Sequence, residues 1–274
     1  MPYTQSSVLS TQYSARVKIK LLPSTIDAEG RASPEQRLSC FVVDGRVCID
    51  AGSIAIGLSE AERAAVRDVV VTHPHMDHVA TLPIFVDDNF GSLEAPVRLH
   101  ATEEVVRLLR RDVFNGTVYP PFHDFDNGRT RVLEFVPFRA GEEFAVAHLR
   151  VTAVAVNHIV PTVGLVFTDG RATVAFSSDT AATEEFWQVV NRLPRLDALL
   201  VEASFPNSLA RLAEVSGHLT PASLGRELAK LTQQGAQILA MHIKPAYRER
   251  VARELDALAV PGLGVMETGR DYSW

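Results

Sequence analysis

At 274 residues with 46% hydrophobic content, the chain can bury a full core as one large domain or two fused half-domains. Its net charge of -6 and the lack of any Lys/Arg run argue against a surface that tracks a long nucleic-acid backbone, while a small anion drawn in by local positive charge stays compatible. No apolar run approaches membrane-spanning length and the first residues lack a secretory signal pattern, so a soluble cytoplasmic protein with a single domain over residues 1–274 is expected.

Residues 1–15 are polar and read as a loose N-terminal arm, followed by a first strand over 17–22 and a surface loop over 23–35. Residues 38–43 and 46–50 flank Asp44-Gly45, which supplies the positive φ angles of a tight two-residue hairpin turn. Cys40 and Cys48 fall in these two strands and read as reduced core thiols. Ser59 with Glu62 predicts a capping box opening a short helix.

Val69-Val70-Val71 is β-branched and short, the pattern of a buried strand, and it runs into Thr72-His73-Pro74-His75-Met76-Asp77-His78. Pro74 lacks an N–H and fixes its own φ, so the chain leaves the sheet there. The polar cluster then lies at the carboxyl end of a strand, where open α/β sheets place their ligand sites. His73 and His75 can each point an imidazole at one metal ion, and Asp77 and His78 can reach a second.

A helix is expected over residues 77–86 with Val79, Leu82 and Phe85 inward, then a strand over 97–100 in which His100 has no chemical role. Thr102 caps a helix whose apolar face is Val105, Val106, Leu108 and Leu109. Residues 114–131 are aperiodic, and Tyr119, Phe122 and Phe125 suit stacking on a base, covering the core or a subunit contact; His123 is the substrate-contact candidate there.

Strands follow near 132–136, 143–146, 148–156, 163–168 and 173–177, then a helix over 184–191 and a strand over 196–201. A helix over 220–233 starts with Thr220 as cap and Pro221 in its first turn, with Leu224, Leu228 and Leu231 as its stripe. A strand over 238–241 and a helix over 247–258 complete an α/β pattern. His158, Asp179 and His242 each follow a strand. Glu202 ends another, where a buried carboxylate needs a partner.

His73-x-His75-x-Asp77-His78 resembles the His-x-His-x-Asp-His signature of the metallo-β-lactamase superfamily. The longer run through residues 79–89 is similar to that of the class II 3′,5′-cyclic-nucleotide phosphodiesterases of bacteria and fungi. The resemblance implies a four-layer αββα sandwich. It also implies a dinuclear site in which His73, His75 and His158 hold one metal ion, Asp77, His78 and His242 the other, and Asp179 bridges both. Asp50, in an Asp-x-Gly similar to the family's, would hydrogen-bond and orient the ligand loop. Without a thiolate the site could take Zn, Mn or Fe, with zinc the default.

Glu202-Ala203-Ser204-Phe205 and Gly217-His218-Leu219-Thr220 resemble segments of phosphodiesterase members, including the transfer-RNA 3′-processing endonucleases. There the carboxylate orients a histidine that touches phosphate and can protonate the leaving oxygen. Those endonucleases carry a basic Gly-rich arm between the third histidine and the bridging aspartate; this chain has a short hairpin. The resemblance therefore implies hydrolysis of cyclic AMP or cyclic GMP to nucleoside 5′-monophosphates by a metal-bridging hydroxide. Asp77, Glu202 and His218 would be the catalytic residues, and Thr162 and Asn157 would lie at phosphate or ribose. The alternatives are an RNA-processing or other ester hydrolase of the same fold and a di-iron redox or sensor module, whose members usually carry Glu in place of His75. The expected partner is a small cyclic nucleotide, with no long nucleic acid and no membrane; a homodimer is compatible.

Overall fold

The computed structural model describes residues 17–274, so the expected arm over 1–15 lies outside the described residues. The first half of the chain runs β1 (Lys18–Leu21), β2 (Phe41–Val43), β3 (Val47–Ile49), α1 (Ile54–Gly57), α2 (Glu60–Ala65), β4 (Asp68–Val70), α3 (Met76–Val79), α4 (Leu82–Asn89), β5 (Val97–Thr102), α5 (Glu103–Asp112) and β6 (Leu133–Phe138). The second half adds β7 (Glu143–Val146), β8 (Leu149–Ala155), β9 (Val163–Thr168), β10 (Thr173–Phe176), α6 (Glu185–Asn191), β11 (Ala198–Glu202) and α7 (Ala210–Ser216). It ends with α8 (Pro221–Leu228), β12 (Gln237–Met241), α9 (Arg248–Asp256), β13 (Leu263–Val265) and β14 (Asp271–Ser273).

Two seven-stranded sheets result, ordered β14-β1-β2-β3-β4-β5-β6 and β13-β12-β11-β10-β9-β8-β7. Each passes from antiparallel hairpins to parallel strands, at β3–β4 and at β10–β11. The strand period of two sorts the side chains into three apolar layers. Ile19, Phe41 and Val70 of one sheet meet Leu165, Phe176 and Leu200 of the other, with the Phe41 and Phe176 rings edge to face at 5.0 Å. Val69, Leu82, Phe85 and Val105 fill the space between the first sheet and its helices, and Leu199, Val201, Leu224 and Val251 do so for the second. Helix layer, two sheets, helix layer: this is the αββα sandwich that the resemblance implied. No helix among the described residues is long and apolar enough to cross a membrane.

Several expectations meet a physical competitor. The helix expected over 77–86 breaks into α3 and α4, because Pro83 inside it would clash with the Val79 carbonyl and lacks an N–H; it sits instead in the first turn of α4. The helix expected over 220–233 stops at Leu228, because Asn191 captures the following backbone through the Lys230 carbonyl (2.8 Å) and the Thr232 N–H (2.9 Å). The hairpin turn has three residues, with Asp44 and Gly45 at positive φ and the Arg46 N–H closing on the Val43 carbonyl. Helices α1 and α7 and strands β13 and β14 were not among the expected elements.

In the loop over 114–131, Phe122 is buried against Phe90 and Tyr119 and covers core. His100 lies mid-strand in β5 and binds Asp68 at 2.8 Å. Cys40 and Cys48 are buried free thiols, and burial pushes the Cys40 thiol well up.

Candidate metal centre

The hairpin β2–β3 shapes the loop after β4. The Ser39 N–H donates to the Asp77 carbonyl and the Ala51 N–H to the His78 carbonyl, both at 2.7 Å. A Cβ on Gly52 would lie 2.0 Å from the Asp77 carbonyl oxygen, so only glycine lets the two segments approach. Asp50, wholly buried at φ +58°, accepts from the Thr72 N–H at 2.9 Å and from His78 Nδ1 at 2.7 Å. With Nδ1 engaged, His78 turns Nε2 inward.

The other ligand candidates come from the second sheet. His158 follows β8 and donates Nδ1 to the Gly217 carbonyl at 2.8 Å, which leaves Nε2 3.2 Å from His75 Nδ1. Asp179 follows β10 and His242 follows β12. Ser178 and His242 both have positive φ, the strained backbone that clusters at functional sites. The Asp179 Oδ2 atom lies 3.6 Å from His73 Nε2, 3.3 Å from His78 Nε2 and 3.2 Å from His242 Nε2, while Asp77 Oδ2 is 3.7 Å from His242 Nε2.

All seven candidates are therefore brought together. His73, His75, His158 and Asp179 form one group and Asp77, His78 and His242 another, each with ligand atoms within 4.8 Å of one another. Whether a metal fits is answered by two nitrogens: His73 Nε2 and His78 Nε2 are buried without a hydrogen-bond partner, a costly arrangement that metal ligation satisfies. The donor set, imidazole and carboxylate without thiolate, suits borderline divalent ions.

The electrostatics favour a neutral ring at four of the five imidazoles and a protonated one at the fifth, His78. Burial, reinforced by neighbouring imidazoles, lowers the pKa of His73, His75 and His158, and burial brings His242 down to about 3. These four rings stay neutral, as ligands must. Burial also disfavours a charged His78, but the carboxylates of Asp179 and Asp50 outweigh it and raise its pKa well above the usual value. Burial disfavours ionised Asp179 too, yet His242 and His78 hold it well below the carboxylate range.

Glu202 is wholly buried. Its Oε1 accepts from the Thr180 N–H (2.9 Å) and from His218 Nδ1 (2.8 Å), and its Oε2 from the Ser204 hydroxyl (2.8 Å) and the Leu219 N–H (3.1 Å). His218 forms a third group with Asp179 and His242, again within 4.8 Å. Burial pushes its pKa down, and Glu202 more than compensates, so it is raised.

Asn157 and Thr162 line two different cavities, each of which also takes in a histidine of the centre. Asn157 shares one of about 550 Å³ with His218, and Thr162 one of about 590 Å³ with His158. The Thr162 hydroxyl is spent on the Val160 carbonyl at 2.9 Å. His123 is not brought to the centre: its ring lies edge-on to Phe135 of β6 at 5.3 Å, and it belongs to none of the ligand groups. Sequence reasoning missed Lys244, whose Nζ lies 3.2 Å from Asp77 Oδ2; the available signal was its two-residue offset from His242.

This fold and this cluster define a metallo-β-lactamase-fold hydrolase with His/Asp groups suited to metal ions. The chain belongs to the β-lactamase superfamily, whose domain it matches over residues 46–243. Among solved structures it is similar to the metallo-beta-lactamase fold protein YhfI from Bacillus subtilis, with a TM-score of 0.73 and 14% identity over 94% of this chain and 100% of that one. It is also similar to unliganded yeast PDE1, with a TM-score of 0.75 and 16% identity over 94% and 99% of the two chains. Human tRNase Z, short form, gives a TM-score of 0.67 and 14% identity over 93% and 98%. At these identities the likeness speaks for the fold alone. No curated protein matches the chain in sequence.

Proposed function

We propose that the protein is a dinuclear phosphodiesterase that hydrolyses 3′,5′-cyclic nucleotides to nucleoside 5′-monophosphates. The observation that carries this reading is the Glu202–His218 pair, 2.8 Å apart and within ligand distance of the His/Asp cluster. In this reading His73, His75, His158 and Asp179 would hold one divalent ion and Asp77, His78 and His242 a second, with zinc the ion the donors suit best. Bound ions would supply a water of lowered pKa and draw charge from the phosphoryl oxygens.

The chain's own part is proton placement. Glu202 is immobilised by backbone and hydroxyl donors, so it fixes the imidazole through Nδ1 and leaves Nε2 as the nitrogen that would meet substrate. The raised pKa keeps a proton on His218 for the departing 3′-oxygen. An alkoxide is a strongly basic leaving group, and a positioned acid is worth typically about 10²–10⁴ in rate. A sugar–phosphate ester needs this donor far more than an activated ester does. Asn157 and Thr162 would form walls for the nucleoside.

Metal analysis of the purified protein with turnover of cyclic AMP, cyclic GMP, 2′,3′-cyclic nucleotides and bis(p-nitrophenyl) phosphate tests the reading. Preference for the 3′,5′-cyclic substrates by metal-loaded protein is the expected result. Turnover of the 2′,3′-cyclic nucleotides or the aryl diester alone would remove the 3′,5′-cyclic substrate and keep the phosphodiesterase; turnover of no diester would remove both.

A further inference from the structure

Lys244 leaves β12 two residues after His242. The residue between them, Ile243, is buried in the layer under the helices, and the chain delivers both His242 and Lys244 to the centre. Lys244 Nζ lies 3.2 Å from Asp77 Oδ2 and 3.1 Å from His242 Nε2. Its backbone N–H is tied to the Ser204 carbonyl at 3.2 Å, and Pro245 begins the next turn, so the stem is anchored at its root. The lysine side chain is 34% exposed, against 7% for His242 and 3% for Asp179, which puts the ammonium nearer solvent than either of those side chains.

A cation in this place is electrostatically adverse on its own. His242 and Asp77 are candidate ligands, and a divalent ion on them repels a neighbouring ammonium. The Asp77 carboxylate cannot neutralise both. An incoming anion can, and a phosphoryl group offers two non-bridging oxygens for the purpose. We propose that Lys244 is a substrate-binding residue whose ammonium takes a non-bridging phosphoryl oxygen; the identity of that group rests on the phosphodiesterase reading. A phosphomonoester carries one more negative charge than a diester, so the same lysine should make the site retain its product.

The test uses the full-length, metal-loaded protein and inorganic phosphate as probe, with Lys244→Met and Lys244→Arg. Titration calorimetry should show phosphate binding weakened about tenfold or more in Lys244→Met and largely kept in Lys244→Arg. Metal content measured by mass spectrometry should be equal in all three proteins, and KM should rise more than kcat falls. Phosphate affinity unchanged in Lys244→Met, or absent from the wild type, overturns the proposal. Loss of metal together with phosphate also overturns it, since Lys244 would then merely brace Asp77. Wild-type protein that binds phosphate through Lys244 yet turns over no cyclic nucleotide would retire the substrate reading and leave the lysine's role standing.

Discussion

Glu202 shows how much a single side chain can reveal. A carboxylate with no exposed surface must be compensated, and here the Thr180 and Leu219 backbone, Ser204 and His218 supply the compensation. The arrangement leaves His218 one free ring nitrogen and one direction to point it. Replacing His218 with Ala should leave metal content unchanged and lower kcat on cyclic AMP by about 10²–10⁴, with a far smaller loss on an aryl phosphodiester whose leaving group needs no proton. Comparable losses on both substrates would refute the proton-donor role. Glu202 was legible because a charge ending an apolar run is expensive. The packing of His123 on Phe135, away from the ligand groups, was illegible because a polar, aperiodic loop carries no signal of where its side chains turn. Thr72, Ser204 and Lys244 were illegible for a different reason: their partners are distant in sequence, and only the register of the strands brings them together.

At the scale of the element, β4 is held at its start as carefully as at the end that leads into the His/Asp cluster. Asp68 accepts two bonds from Arg98, at 2.7 and 2.6 Å, and one from His100 at 2.8 Å, all across the parallel β4–β5 ladder. Burial would raise the Asp68 pKa, but His100 and Arg98 outweigh it and hold the carboxyl at about 2. A depressed carboxyl contributes stability that is complete above its unfolded pKa near 4 and is lost as pH falls toward the folded value. Asp68 should thus contribute on the order of 2 kcal/mol at neutral pH, lost between about pH 4 and pH 2. Urea unfolding of Asp68→Asn should show lower stability at pH 7 and a shallower loss through that acid window; parallel curves for the two proteins would rule the linkage out. Strands such as β4, β9 and β10 were legible because β-branched runs between turn residues allow little else. Helix ends were not, because Pro83 and Asn191 settle them by clash and by tertiary hydrogen bonding rather than by propensity.

Across the whole molecule, the cluster is where the two halves meet. His73 and His75 come from the β4–α3 connection of the first sheet and Asp77 and His78 from α3 itself, while His158, Asp179 and His242 come from strand ends of the second. The apolar layer between the sheets joins the halves along their length, while at this edge the contact is polar, with two buried imidazole nitrogens unpartnered within the protein. Sequence pattern alone led to α/β; the layering became visible only through the resemblance, since no internal repeat marks the two halves. An ion held by ligands from both sheets stabilises the folded chain by RT ln(1 + [M]/Kd), roughly 4 kcal/mol at a thousandfold excess over Kd. For a chain of this size that corresponds to a rise in Tm of about 10 °C. Calorimetry before and after chelation should show that drop, reversed by adding the divalent ion back. His158→Ala, which removes a ligand from one half only, should retain less of the metal-dependent increment than the wild type. A Tm that does not move while metal content falls to zero would mean that the ions, where they bind, do not join the halves.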